Sequence, residues 1–159
     1  MEYTKRTLEN LGSLHPKVRV SAERFLVACE PILAPLGVSV EVISGTRSWA
    51  AQAALYAQGR TKPGRIVTNA RPGSSYHNYG LAFDLGLFKG GKYLDSSNPA
   101  LAEKIYKKLG ELAVSMGIEW AGNWKTFQES PHFQITGGRS LSQLKAALIA
   151  ANYDIKKLS

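Results

Sequence analysis

The stretch Ser75-Tyr-His-Asn-Tyr-Gly-Leu-Ala-Phe-Asp84 carries one of only three histidines in a chain of 159 residues, a few positions ahead of an aspartate. In an extended segment, residues two apart share a face. Leu81, Phe83 and Leu85 therefore form a core-facing row, while Gly80, Ala82 and Asp84 point the other way. This alternation predicts a strand from about Tyr79 to Leu87. Gly80 and Ala82 have almost no side chain, so the polar face leaves room for an object beside Asp84, within reach of His77.

Outward from this stretch, Val38, Val40 and Val42 alternate in a second strand, Val38 to Ile43, and His132 to Ile135 reads as a short third one. Helical spacing of Val18, Ala22, Phe25, Leu26 and Cys29 predicts a helix from Pro16 to Leu33, with Pro16 suited to the first turn. Ser48 caps a short helix, Trp49 to Gln58, closed by Gly59. An irregular loop, Arg60 to Ser74, follows. After the turn Lys89-Gly-Gly-Lys92, Asn98-Pro99 opens a long amphipathic helix that stops at Gly117, and Ser140 opens a last helix to about Ala151. Helices and strands mix without βαβ alternation, repeat or linker, which predicts an α+β fold: a compact single domain over residues 1–159, with a small antiparallel sheet flanked by helices.

The formal net charge of +8 favours polyanionic partners. A nucleic-acid partner is not expected, because the basic cluster Arg60, Lys62, Arg65 and Arg71 lacks interleaved aromatics and no recognition-helix motif is present. That cluster reads equally as a solubilising loop or a substrate-facing one. The lone Cys29 excludes an internal disulfide and reads as a buried thiol. No segment has the length of an apolar membrane span, and the N-terminus lacks a signal-peptide core, so neither stable membrane insertion nor a leader is expected.

Imidazole and carboxylate are ordinary Zn²⁺ donors, and a catalytic zinc takes three protein ligands plus water. His77 and Asp84 supply two. His132, in Glu129-Ser-Pro-His132, stands at a strand start and faces away from Phe133 and Ile135. His15, just before Pro16, reads instead as a helix cap or surface residue. Glu129 is well placed to act as the base that deprotonates a metal-activated water. Pro131 makes this segment a turn rather than a helical H-E-x-x-H device. Spacing alone leaves a metal site and a set of unrelated structural residues both open.

The motifs Ile43-Ser-Gly-Thr-Arg-Ser48, Gln58-Gly-Arg-Thr61, Ser75-x-His77-x-x-Gly80-x-Ala82-x-Asp84, Gly117-Ile-Glu-Trp120, Trp124-Lys-Thr-Phe127 and Glu129-x-Pro131-His132-Phe133 run through most of the chain. Together they resemble the zinc D,D-carboxypeptidase and L-alanyl-D-glutamate peptidase family, particularly its bacteriophage endolysins. The resemblance implies a hedgehog/DD-peptidase-like architecture, Zn²⁺ bound by His77, Asp84 and His132, and Glu129 as general base and acid. It further implies that Arg47 stabilises the oxyanion or binds a substrate carboxylate and that Ser75 contacts substrate; Trp120 and Trp124 read either as cleft-lining residues or as large core aromatics at an α+β junction.

The implied reaction is hydrolysis of the L-alanyl-D-glutamate bond of peptidoglycan stem peptides. The alternatives are a D-alanyl-D-alanine carboxypeptidase or dipeptidase on the same zinc site, and a non-catalytic wall-binding module. A monomer is expected, with no room in 159 residues for a separate cell-wall-binding domain beside the catalytic one. It would accumulate in the host cytoplasm and reach the periplasm and wall after release by a holin. Two departures stand out: Trp120-Ala-Gly-Asn-Trp124 where many phage enzymes have Trp-Gly-Gly-Asp-Trp, and Glu129 where some have Asp.

Overall fold

A computed structural model describes residues 2–159. Its first element is one that periodicity did not reveal: α1 (Lys5–Ser13), capped by Thr4, whose hydroxyl accepts from the Thr7 N–H at 3.2 Å. Only Thr7 and Leu11 of this helix are buried, too few to leave an apolar stripe in the sequence. α2 (Pro16–Leu33) has the predicted bounds. His15 caps it by accepting from the Lys17 N–H, and its Nε2 donates to the Leu158 carbonyl at 2.8 Å, so it is a buried cap rather than a surface residue.

β1 (Ser39–Ser44) leads to Ser48, whose hydroxyl caps α3 (Trp49–Ala57). The irregular loop then returns to β2 (Ala82–Lys89), which turns through Gly90-Gly91, both at positive φ, into β3 (Lys92–Tyr93). A short α4 (Leu94–Ser97) precedes α5 (Pro99–Ser115), capped by Asn98. β4 (Glu119–Trp120), β5 (His132–Gln134) and α6 (Leu141–Ala150) complete the order, the last capped by Ser140.

The sheet runs β1-β2-β5-β4, with β3 on the far end of β2 and every pairing antiparallel. Phe83 and Phe133 face each other across β2 and β5 with ring centroids 5.8 Å apart, and Phe25 of α2 packs on Phe133 at 5.2 Å. The apolar row of the strand thus joins one core cluster with the buried side chains of α2 and α5. Register decides what the other face presents. Asp84 sits opposite His132, and Ala82 opposite Gln134. One extra residue in β1 between Val42 and Ser44 bulges that strand, so that Ser44, rather than Ile43, stands opposite Asp84.

The strand starts later than its pattern predicts. Tyr76–Tyr79 is a single 3₁₀ turn capped by Ser75, and Gly80 follows at φ +72° before β2 begins at Ala82. Gly80 therefore does not share Asp84's face. A side chain there would stand 2.7 Å from the His15 nitrogen and 2.7 Å from Ile155 Cδ1, so its smallness serves the packing of α2 and the C-terminal turn. Among the described residues no helix is long and apolar enough to cross a membrane.

Candidate metal centre and catalytic cleft

His77, from the 3₁₀ turn, and His132, from β5, close on Asp84 from two sides. Asp84 Oδ2 lies 3.3 Å from His77 Nε2, and Oδ1 lies 3.1 Å from His132 Nδ1. The remaining ring nitrogens fix both tautomers. His77 Nδ1 meets the Gly45 carbonyl at 2.8 Å, an acceptor only, so it carries the proton. His132 Nε2 donates to Gln134 Oε1 at 2.7 Å. Both imidazoles consequently aim lone pairs at a carboxylate.

Without a cation this arrangement is repulsive, and one candidate ligand atom from each residue lies within 4.8 Å of the other two. Tetrahedral ligands about 2.0–2.1 Å from zinc stand about 3.3 Å apart, the separation seen here between carboxylate and imidazoles. Hydrogen-bonded outer nitrogens are the usual support of metal-binding histidines. The donor set therefore fits Zn²⁺. A proton on an imidazole can stand in for that cation in the metal-free protein. Burial opposes ionisation of Asp84, but hydrogen bonds from His132 and His77 outweigh it and hold the carboxyl well below the usual range. Burial likewise disfavours the His132 imidazolium, yet the Asp84 hydrogen bond and charge raise its pKa.

The three residues open into a cleft of about 500 Å³ also lined by Arg47, Ser75, Trp124 and Glu129. Glu129 is exposed at the cleft wall, and the half-buried Trp124 ring lies 5.4 Å from that of His132. Ser75 accepts from the His77 N–H, leaving its own hydroxyl proton free to donate.

Arg47 is held by Gln52 Oε1 at 3.0 Å and approaches Ser44 Oγ at 3.4 Å. Gln52 is fully buried and donates to the Ala70 carbonyl, while Asn78 donates to the Arg47 carbonyl and accepts from the Gly73 and Ser75 N–H groups. This network ties the arginine to the loop and to the histidine turn.

The family model described as D-alanyl-D-alanine carboxypeptidase matches residues 68–135, which include the three candidate ligands and Glu129. The peptidoglycan L-alanyl-D-glutamate endopeptidase CwlK of Bacillus subtilis is 40% identical over 131 residues, covering 78% of this chain and 74% of that protein. The chain belongs to this peptidase family. A second member, the L-alanyl-D-glutamate peptidase of Listeria phage A118, is 30% identical over 132 residues, covering 83% of this chain and 41% of the relative. Among solved structures, the L-Ala D-Glu endopeptidase ChiX of Serratia marcescens superposes with a TM-score of 0.57 at 25% identity, covering 86% of this chain and 90% of that one.

Within this peptidase, Trp120 does not reach the cleft. Its indole is buried, Nε1 donates to the Ser130 carbonyl at 2.8 Å, and any side chain at Gly110 or Gly122 would collide with the ring. It fixes the turn leading to Glu129 from behind. Asn123, the departure from the phage pattern, is not among the cleft-lining residues. Nor is any residue of the basic cluster: Arg60 instead stacks 3.9 Å over Tyr56 and bonds the Tyr56 and Thr68 carbonyls, holding its own loop together. Gln52, Asn78 and Gln134 are supporting residues that spacing did not single out. Gln134 alone had a visible signal, sharing His132's face of β5.

Proposed function

We propose that this chain is a zinc-dependent peptidoglycan endopeptidase that hydrolyses the L-alanyl-D-glutamate bond of the stem peptide, acting as an endolysin. The observation that supports it is the convergence of two imidazole lone pairs and one carboxylate beside an exposed glutamate in an open cleft. His77, Asp84 and His132 would hold the ion. Bound there, zinc supplies Lewis-acid polarisation of water and of the scissile carbonyl.

The chain's own residues do the rest. Glu129 takes a proton from the attacking water as the new C–O bond forms, then gives it to the D-glutamate nitrogen as the C–N bond breaks. Arg47, already oriented by Gln52, offers a fixed fork to the developing oxyanion or to a substrate carboxylate. The Ser75 hydroxyl donates to the substrate beside the ligands, and Trp124 covers one side of the cleft.

The +8 charge attracts the enzyme to an anionic wall and disperses with added salt. In this reading the protein acts as a monomer, accumulates in the host cytoplasm and reaches the wall through a membrane lesion made by a separate holin. Mass spectrometry of muropeptides digested with and without a chelator tests the proposal. Zinc-restorable appearance of a new D-glutamate N-terminus supports it. Release of D-alanine instead establishes the carboxypeptidase alternative, and chelator-resistant cleavage removes the metal from the mechanism.

A further inference from the structure

Past Glu129 the cleft continues into a second hollow of about 520 Å³, walled by Ile66, Val67 and Asn69 on one side and Trp124 and Phe127 on the other. Arg47 and the three metal-binding side chains line only the first part. Among the described residues no Lys or Arg lines the second. Its rim sets three exposed apolar side chains among polar ones: Ile66 is 57% exposed, Val67 55% and Phe127 78%. Phe127 also holds φ +53°, a conformation that costs a bulky residue on the order of 1–3 kcal/mol. Its ring is too exposed for core burial to offset that strain, which instead turns it outward two residues from the catalytic glutamate.

We propose that this hollow is a saccharide subsite, which takes the N-acetylmuramoyl unit bearing the stem peptide, with the C–H face of its pyranose ring against Phe127 and Trp124. Substrate chemistry selects the occupant, and the assignment rests on the endopeptidase reading. The L-alanine nitrogen is acylated by the lactyl group of the sugar, so the muramoyl unit begins one residue from the bond that breaks and its pyranose ring lies one lactyl link further, within about two residues, roughly 7 Å of extended chain. On the other side of that bond, the γ-linked D-glutamate carries a free α-carboxylate, which suits the Arg47 end. The muramoyl carboxyl is already used in an amide. That unit is neutral and amphipathic, matching a hollow of mixed lining with no cation, in which Ile66, Val67, Trp124 and Phe127 offer apolar surface and Thr68, Asn69 and Ser74 meet hydroxyl and acetamide groups.

The test compares zinc-loaded wild type, Phe127→Ala and Phe127→Trp on two substrates: a disaccharide-linked stem peptide, and the same peptide with an N-acetyl group replacing the sugar. Phe127→Ala is expected to lower kcat/KM on the first at least about tenfold more than on the second, a ratio equivalent to about 1.4 kcal/mol. Phe127→Trp keeps the preference. Equal losses on both substrates overturn the subsite. A separate titration with the peptide-free disaccharide, its lactyl carboxyl amidated, gives saturable binding to wild type that Phe127→Ala weakens. No binding to wild type overturns the subsite even where L-alanyl-D-glutamate cleavage stands, and D-alanine release without that cleavage overturns the underlying reading instead.

Discussion

Replacing Gln134 by Leu removes the acceptor of the His132 Nε2–H, a 2.7 Å hydrogen bond in a site where Gln134 itself is buried. The metal-free variant has an escape. Its imidazole can move the ring proton to Nδ1 and give it to Asp84 Oδ1, already 3.1 Å away. Zinc closes that route, because Nδ1 must then offer a lone pair and the proton returns to Nε2 with no partner. An orphaned buried donor costs about 1–3 kcal/mol, a weakening of zinc binding of about 5- to 150-fold. Loss of an outer hydrogen bond to a metal-binding histidine costs about 10–100-fold, in agreement. Competition against a chromophoric chelator at pH 7.5 reads the affinity directly, and Gln134→Glu restores the acceptor. An unchanged zinc affinity in a folded Gln134→Leu protein would refute the tautomer assignment.

Glu129→Gln is expected to bind one zinc and to lose about 10²–10⁴-fold in kcat, the usual contribution of a positioned acid–base group; near-wild-type turnover in single-turnover assays removes Glu129 from proton transfer. In the metal-free protein, the depressed Asp84 pKa contributes stability that is present above its unfolded value near 3.9 and lost as pH falls through the folded one. The raised His132 pKa contributes stability present below its unfolded value near 6.5 and lost as pH rises through the folded one. Both contributions coexist between about pH 4 and 6.5, and zinc must displace the His132 proton, so the zinc-induced rise in Tm should grow from pH 6 to 8; a pH-independent rise counts against the shared site. Trp120→Ala should lose about 3–5 kcal/mol in urea unfolding, the range for a buried aromatic, whereas the half-buried Trp124→Ala should lose less stability and mainly raise KM. The reverse pattern would mean the two indoles have been assigned the wrong way round.

Residue types and short-range spacing carried much of this protein. The caps Ser48, Asn98 and Ser140 start their helices where the local rules predict, because a cap needs only a side-chain oxygen and an amide two or three residues on. Period-two alternation at Phe83 and Leu85 identified the core face of the central strand, and the scarcity of histidines narrowed the ligand candidates to His77 and His132 beside Asp84. What depends on distant chain meeting distant chain was not legible there. The register that sets Asp84 opposite His132, and the bulge that brings Ser44 beside them, follow from the pairing of strands far apart in sequence. Gly80 looked like space for a ligand and proved to be space for His15 and Ile155, while Trp120 looked like a cleft wall and proved to be a buried support. Periodicity reports which side of an element is apolar, whereas tertiary packing decides what stands against that side, and here that decision separates ligands, supports and core.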